Sequence, residues 1–375
     1  MTTVKEREVT YVDKDAKPPL VISNNPADHV EFDKKDENWR YLPPKKFNTL
    51  VSNPISSGNP VIEVINANKS FRLAKSGVDG LRVREIITAS HMAAEHNEFI
   101  IDVDMSANGK LVEINYSGTT PSSSVIQVNV AAQVETQILL RDLGQDDTSL
   151  NLAINLNNGA IVKFVFITEQ SAKGMHFGQI SANVGRDASL TMGIVSLGGD
   201  LVRRSFDSCF QDVNGEMVLL GATHSAEGQY CEHRTVVDHN TPNCRSYVDF
   251  RSAVDGQGTH SVWIGDTIIR YNATGSDTYE TNRNLVLSPG ARADSVPNLE
   301  IETGEVVGAG HASATGRLDD EQIFYLTSRG LKDSEALKLI VVGFFANIVE
   351  RMGIPTIVQP IVETIEAKLK STGDL

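Results

Sequence analysis

Cysteine is scarce in this chain. Its 375 residues include three, Cys209, Cys231 and Cys244, too few and too irregularly spaced for a disulfide framework. None forms the close pair expected of a zinc knuckle or a redox motif, so a reducing compartment is the simpler expectation. A chain of this length can bury a large core without disulfides or a structural metal. Long apolar runs are missing too. The longest, Leu339 to Val349, is too short to span a bilayer and is interrupted by Gly343 and Asn347. The amino terminus, Met1-Thr2-Thr3-Val4-Lys5-Glu6-Arg7-Glu8, is charged from the start and lacks the apolar core of a secretory signal, so a cytoplasmic protein with no membrane partner is expected. Clustered positive charge is also lacking. With a formal net charge of −14 and no block of Lys and Arg, the chain is not expected to bind nucleic acid, whose phosphates need such a block.

The familiar catalytic motifs are absent. There is no His-Glu-x-x-His for a metallohydrolase and no Gly-x-Ser-x-Gly elbow for an α/β-hydrolase. Without a Gly-rich loop ending in Lys-Ser or Lys-Thr, the chain is not itself an ATPase. Carboxylates converging from separate turns of a β-helix, as in polysaccharide-cleaving enzymes, would draw on Asp238, Asp249, Asp255 and Asp266, a reading that the missing secretion signal fits poorly. Cys231-Glu232-His233 is the nearest local cluster. Cys231 and His233 would share one face of a strand, with His239 and Cys244 following, so the group is either a chelating set or a buried thiol beside hydrogen-bonded histidines. His91 and His96 are five apart and do not match a helical pair. His29, His176, His224 and His260 have no recognisable partner in the sequence and read as surface or satisfied core residues.

What is present is strand after strand from about residue 76 to 315. Val125 to Val130 and Val134 to Ile138 partly alternate, whereas Ile161 to Ile167 is apolar on both faces. Turn residues punctuate the runs at Asn157-Asn158-Gly159, Val184-Gly185-Arg186-Asp187, Val213-Asn214-Gly215, Ile264-Gly265-Asp266 and Ser288-Pro289-Gly290, at a loose spacing of roughly 22 to 30 residues. That favours stacked rungs slightly over a β-sandwich or a Greek-key barrel. Residues 1 to 75, with Pro18-Pro19 and Pro43-Pro44, read as an extended or partly helical arm. Beyond Gly316 the period moves toward four. Asp333 can cap a helix with Leu337, Ile340, Val341, Phe344, Phe345, Ile348 and Met352 along one side and Gly353 as its stop. Pro355 and Pro360 then break or bend the chain before a last helical stretch, Ile361 to Leu369.

The most distinctive run lies at the junction. Pro297-Asn298-Leu299-Glu300-Ile301 leads through Val307-Gly308-Ala309-Gly310-His311-Ala312-Ser313-Ala314-Thr315-Gly316 to Phe324-Tyr325-Leu326-Thr327-Ser328-Arg329-Gly330. His311 stands among small residues that permit close approach of another backbone or a cluster, and from the residues alone it reads as a turn histidine bonded to nearby carbonyls. This run, with Glu37 to Pro43, Val237 to Ser246 and Thr259 to Gly265, closely resembles the SufB/SufD family of iron-sulfur cluster assembly proteins, on its SufD side. The resemblance implies a mainly β protein: a right-handed parallel β-helix core at 76–317, an N-terminal arm at 1–75 and a C-terminal helical region at 318–375.

It also implies a non-catalytic scaffold subunit of an ATPase-driven SUF assembly complex. The partners implied are SufB, through the β-helix, and the ATPase SufC, through the C-terminal helices; a homodimer of the isolated chain is allowed. His311 falls at the position of a histidine that faces a SufB cysteine and takes part in building the nascent cluster. An imidazole is a competent iron ligand and the partner's thiolate supplies a softer one. Many SufD proteins carry a cysteine two residues before this histidine, where this chain has Ala309. A transient iron-sulfur cluster shared with SufB is therefore expected, with none stably held by the isolated chain. A SufB-like homodimeric scaffold and an intracellular β-helical carboxylate enzyme are the alternatives.

Overall fold

The computed structural model describes residues 21–29, 33–37, 39–44, 48, 51, 54–74, 79–169, 174–226 and 228–371. Much of the expected amino-terminal arm, residues 1–20 included, lies outside the described residues. The chain runs through β1 (Val61–Ile65), β2 (Asn68–Ala74), α1 (Ile86–Ala93) and β3 (His96–Val103). It continues through β4 (Leu111–Ser117), β5 (Ser122–Val130), β6 (Glu135–Asp142), β7 (Thr148–Leu156), β8 (Ile161–Thr168), β9 (Met175–Val184), β10 (Ser189–Ser196), β11 (Leu201–Phe210) and β12 (Glu216–Ser225). There follow β13 (Tyr230–His239), β14 (Arg245–Val254), β15 (His260–Ile269), β16 (Ser276–Val286), β17 (Arg292–Ile301) and β18 (Val306–Arg317). Three helices end the chain, α2 (Asp320–Thr327), α3 (Asp333–Arg351) and α4 (Pro355–Ser371).

From β3 onward successive strands alternate between two nine-stranded sheets, ordered β1-β4-β6-β8-β10-β12-β14-β16-β18 and β17-β15-β13-β11-β9-β7-β5-β3-β2. The result is a parallel β-helix of about eight turns. Among the described residues only β1–β4 and β2–β3 pair antiparallel, and the first strand begins at Val61, earlier than residue 76. Register gives the length of a rung: Glu135 pairs with Ile161, 26 residues on, and His260 with Arg292, 32 on. One corner of six successive rungs repeats the same turn. Gln133, Gly159, Asp187, Asn214, Asn243 and Gly275 all take positive φ, between 55° and 73°. Each turn then bonds to the next, as in Gly159 N–H to Arg186 O (2.8 Å) and Asn243 N–H to Thr274 O (2.9 Å). Gly, Asn and Asp reach that backbone region at least cost, which explains why those residues marked the turns.

Inward positions alternate along each strand and fill the interior with residues such as Ile126, Leu152, Phe164, Ile180, Phe206 and Leu219. Both outer faces are covered as well, which accounts for strands apolar on both sides. On one sheet Leu139, Val165, Val195 and Leu220 pack beneath Phe345, Ile348, Met352 and Ile361 of the terminal helices. On the other, Phe177, Leu201, Tyr230 and Ile264 lie under Trp39, Leu42, Ile55 and Ile87, with the Arg203 guanidinium 4.9 Å from the Trp39 ring centre.

Several local expectations are corrected. Ile264-Gly265-Asp266 is the middle of β15, not a turn; Gly265 is small because a Cβ there would strike the Trp263 ring and stand 2.8 Å from Glu280 Oε2. The run 307–316 is strand β18 rather than a turn. Gly308 and Gly310 lie against the preceding rung, where a Cβ on Gly310 would meet the Tyr279 ring at 3.1 Å. Asp333 is the first residue of α3 and Lys332 its cap, whose N–H donates to Glu335 (2.9 Å). Pro355 starts α4, and Pro360 sits inside that helix instead of breaking it.

Candidate functional site

His311 lies on β18, the last strand of its sheet, in register with Glu280 one rung earlier. Both occupy inward positions, as do Asn284 and Thr315 two inward pairs further along, where Asn284 Nδ2 donates to Thr315 Oγ1 (3.1 Å). The stack ends here among the described residues, so the imidazole is 43% exposed at the rim while the Glu280 carboxyl is buried beneath it. Glu280 Oε2 accepts from Thr267 Oγ1 across the interior (3.1 Å). Its Oε1 has no hydrogen-bond partner and stands 3.9 Å from His311 Nδ1, beyond hydrogen-bond reach. Burial raises the Glu280 carboxyl to about 7. At its mouth the end of the solenoid therefore offers one imidazole and one carboxyl, and Ala309 adds no donor.

Cys231 and His233 do share an inward face, with Sγ 3.8 Å from Nδ1 and His233 Nε2 3.1 Å from Ser196 Oγ. Burial pushes the thiol up to about 12 and the imidazole down to about 3, with Arg204 adding to the second shift. The other two members are elsewhere. His239 Nε2 is 2.8 Å from Ser246 Oγ, and Cys244 sits in the stacked corner beside Thr241 Oγ1 (3.2 Å). Cys209 is half-buried next to Gln211 Nε2 (3.7 Å). No group of three or more His, Cys, Asp or Glu capable of holding a metal occurs among the described residues.

The candidate carboxylates do not converge. Asp238 is held by Arg270 (3.0 Å), Asp266 lies 3.6 Å from Arg234, and Asp249, on the opposite sheet, is held by Arg351 (2.8 Å). Asp255 follows the end of β14. The remaining histidines are structural. His29 contacts Ser23 O (2.7 Å), His91 Nδ1 accepts from the Ile55 N–H (3.2 Å), and His96 contacts Ala94 O (3.0 Å). His260 contacts Asp294 (2.6 Å), His176 lies 3.7 Å from Asp142, and His224 is buried under α4 near Lys368.

A family model described as the SufBD core domain of SUF system FeS cluster assembly matches residues 115–344, from β4 into α3. The chain belongs to the SufB/SufD family. A SufBD family iron-sulfur cluster assembly protein of Mycobacterium tuberculosis is 36% identical over 360 residues, 90% of this chain and 89% of that protein. The iron-sulfur cluster assembly protein SufD of Escherichia coli is 27% identical over 222 residues, 59% of this chain and 52% of its own length. SufD of Bacillus subtilis is 32% identical over 157 residues, 38% and 36% of the two chains. The matched core includes β16 and β18, hence both Glu280 and His311. As a SufBD-family member the chain is a scaffold-type protein of iron-sulfur cluster assembly. No helix among the described residues is long and apolar enough to cross a membrane.

Sequence reading singled out His311 and missed Glu280. Nothing beside Glu280 marks it, since Tyr279-Glu280-Thr281 reads as an ordinary strand. Its relation to His311 depends on a 31-residue register that β16 and β18 alone establish.

Proposed function

We propose that this chain is the SufD-type, non-catalytic subunit of a cytoplasmic SUF complex. In this reading it pairs with SufB through the open end of the β-helix and carries the SufC ATPase on its terminal helices. A single observation carries it: His311 stands at the rim of the last rung, where among the described residues no strand pairs with the outer edges of β17 and β18, edges that a second β-helix can extend. The nascent iron-sulfur cluster is cargo at that shared surface, with His311 as this chain's iron ligand and thiolate supplied by SufB, because no thiol of this chain lies in β18. Phe324, Tyr325 and Leu339 of α2 and α3 are more than half exposed and are assigned to SufC docking. ATP would act by binding one docked arrangement of the helices better than another, shifting the shared interface.

The test is anaerobic reconstitution with SufB and SufC, following visible absorption for wild type and His311→Ala. A cluster that forms only in the complex and weakens in the variant is the expected result. Equal clusters in both would remove the ligand role, and failure to form any complex would remove the subunit assignment.

A further inference from the structure

Six carboxylates are buried among the described residues: Glu98, Asp142, Asp207, Glu232, Asp249 and Glu280. Five face an arginine. Glu98 meets Arg72 (2.7 Å), Asp142 meets Arg204 (3.0 Å), Asp207 meets Arg84 (2.5 Å) and also Arg82, Glu232 meets Arg203 (3.1 Å), and Asp249 meets Arg351 (2.8 Å). A buried carboxylate without a countercharge is costly, and this fold supplies an arginine each time but one. Among the described residues no arginine pairs with Glu280, its Oε1 has no partner, and Gly265 lets the other oxygen, Oε2, lie close against the opposite strand. Oε1 faces the rim imidazole at 3.9 Å. The separation is too long for a hydrogen bond, yet a transition-metal ion about 2 Å from each donor could lie between them.

We propose that Glu280 is a second metal ligand, forming with His311 a two-donor half-site for a divalent cation of the ferrous type. The missing countercharge is then the cargo itself. Nitrogen and oxygen donors suit ferrous or manganous ions, and they give this side of the interface a preference for iron rather than for sulfide. Two donors hold a cation weakly, so affinity appears only when a partner closes the rim with further ligands. The inference rests on the reading of His311 as an iron ligand and adds a residue from a different strand.

The experiment titrates Mn2+ onto the assembled complex without sulfide and follows loss of the free Mn2+ electron paramagnetic resonance signal. Wild type, Glu280→Gln and His311→Ala are compared, with melting temperature measured for each. Glu280→Gln keeps shape and can still accept from Thr267 but loses the charge. Affinity reduced at least tenfold in both variants, with Glu280→Gln melting no lower than wild type, is expected. Unchanged affinity in Glu280→Gln with loss in His311→Ala would overturn the role of Glu280 and leave His311 intact. Wild-type affinity in both variants, or no Mn2+ binding by wild type, would overturn the half-site. If Glu280→Gln melts lower, the charge-retaining Glu280→Asp decides. Affinity partly regained at that lower melting temperature supports ligation, whereas affinity lost in step with melting in both overturns it.

Discussion

Three histidines are held neutral by their surroundings. Burial lowers His233 to about 3, and His224 and His239 to about 4, from an ordinary value of 6.5. Because the folded values lie below the unfolded one, the unfolded chain binds more protons between pH 6.5 and about 4. The stability these groups contribute is present above pH 6.5 and is lost as pH falls through that window, by up to about 3 kcal/mol each. Glu280 acts in the opposite sense. Raised to about 7 from 4.5, it favours the folded state at low pH and loses that contribution as pH rises between those values. Asp207, also raised by burial, acts with Glu280, and the three histidines outweigh the two carboxyls, so melting temperature should fall from pH 7 to pH 4.5, and His233→Asn should flatten the slope. An unchanged slope in that variant would show that His233 is not neutral and buried as described. His233 was visible in the sequence as one half of a chelating pair with Cys231. That the pair is sealed inside the solenoid, with the thiol too basic to ionise near neutrality, depends on rungs far away in the chain.

The amphipathic helix α3 was legible from its period, since Val341, Phe345 and Ile348 recur at helical spacing and all three are buried. Its cap shifted by one residue because Lys332 and Glu335 share the capping bond, a small difference of local geometry. Phe345 lies wholly inside the seam between α3 and the sheet, whereas Leu339 is 54% exposed. Phe345→Ala should therefore lower stability by about 3–5 kcal/mol in urea unfolding, and Leu339→Ala should change it by less than about 0.5 kcal/mol. A large loss for Leu339→Ala would mean that this face is covered within the chain itself. The strand β18 was the less legible element. Gly308, Gly310 and Gly316 suggested a turn, but parallel stacking on β16 keeps the run extended. The small residues serve close approach to Asp277 and Tyr279 and leave the outer edge open.

A solenoid is stabilised mostly by contacts between neighbouring rungs, so its end rungs have half the support of its middle. The amino-terminal end finishes in the antiparallel pairs β1–β4 and β2–β3, with Phe71 and Leu73 exposed on β2. The other end stops at β17 and β18, where side chains such as Ile301 and Val307 are exposed. Hydrogen exchange of the isolated chain should therefore be faster in β17 and β18 than in β9 to β12. Adding SufB should slow exchange in β17 and β18 more than anywhere else. Slowing confined to the terminal helices would place the SufB contact elsewhere.

A long succession of strands followed by helices could be read from residue types and their spacing, and the family and the place of His311 from the resemblance carried by the contiguous run around it. Each is local: periods of two and four, turn residues that tolerate positive φ, and a contiguous signature around His311. What faces what could not be read that way. The burial of Cys231 and His233, the pairing of Asp238 and Asp266 with arginines, and the meeting of Glu280 with His311 follow from register between strands some 26 to 32 residues apart, and Asp249 meets Arg351 only because α3 packs on the sheet. Rung length varies with each loop, and a shift of one residue would turn every inward side chain outward. That register is set by the packed interior and the stacked corner turns acting together, which no local stretch of sequence contains.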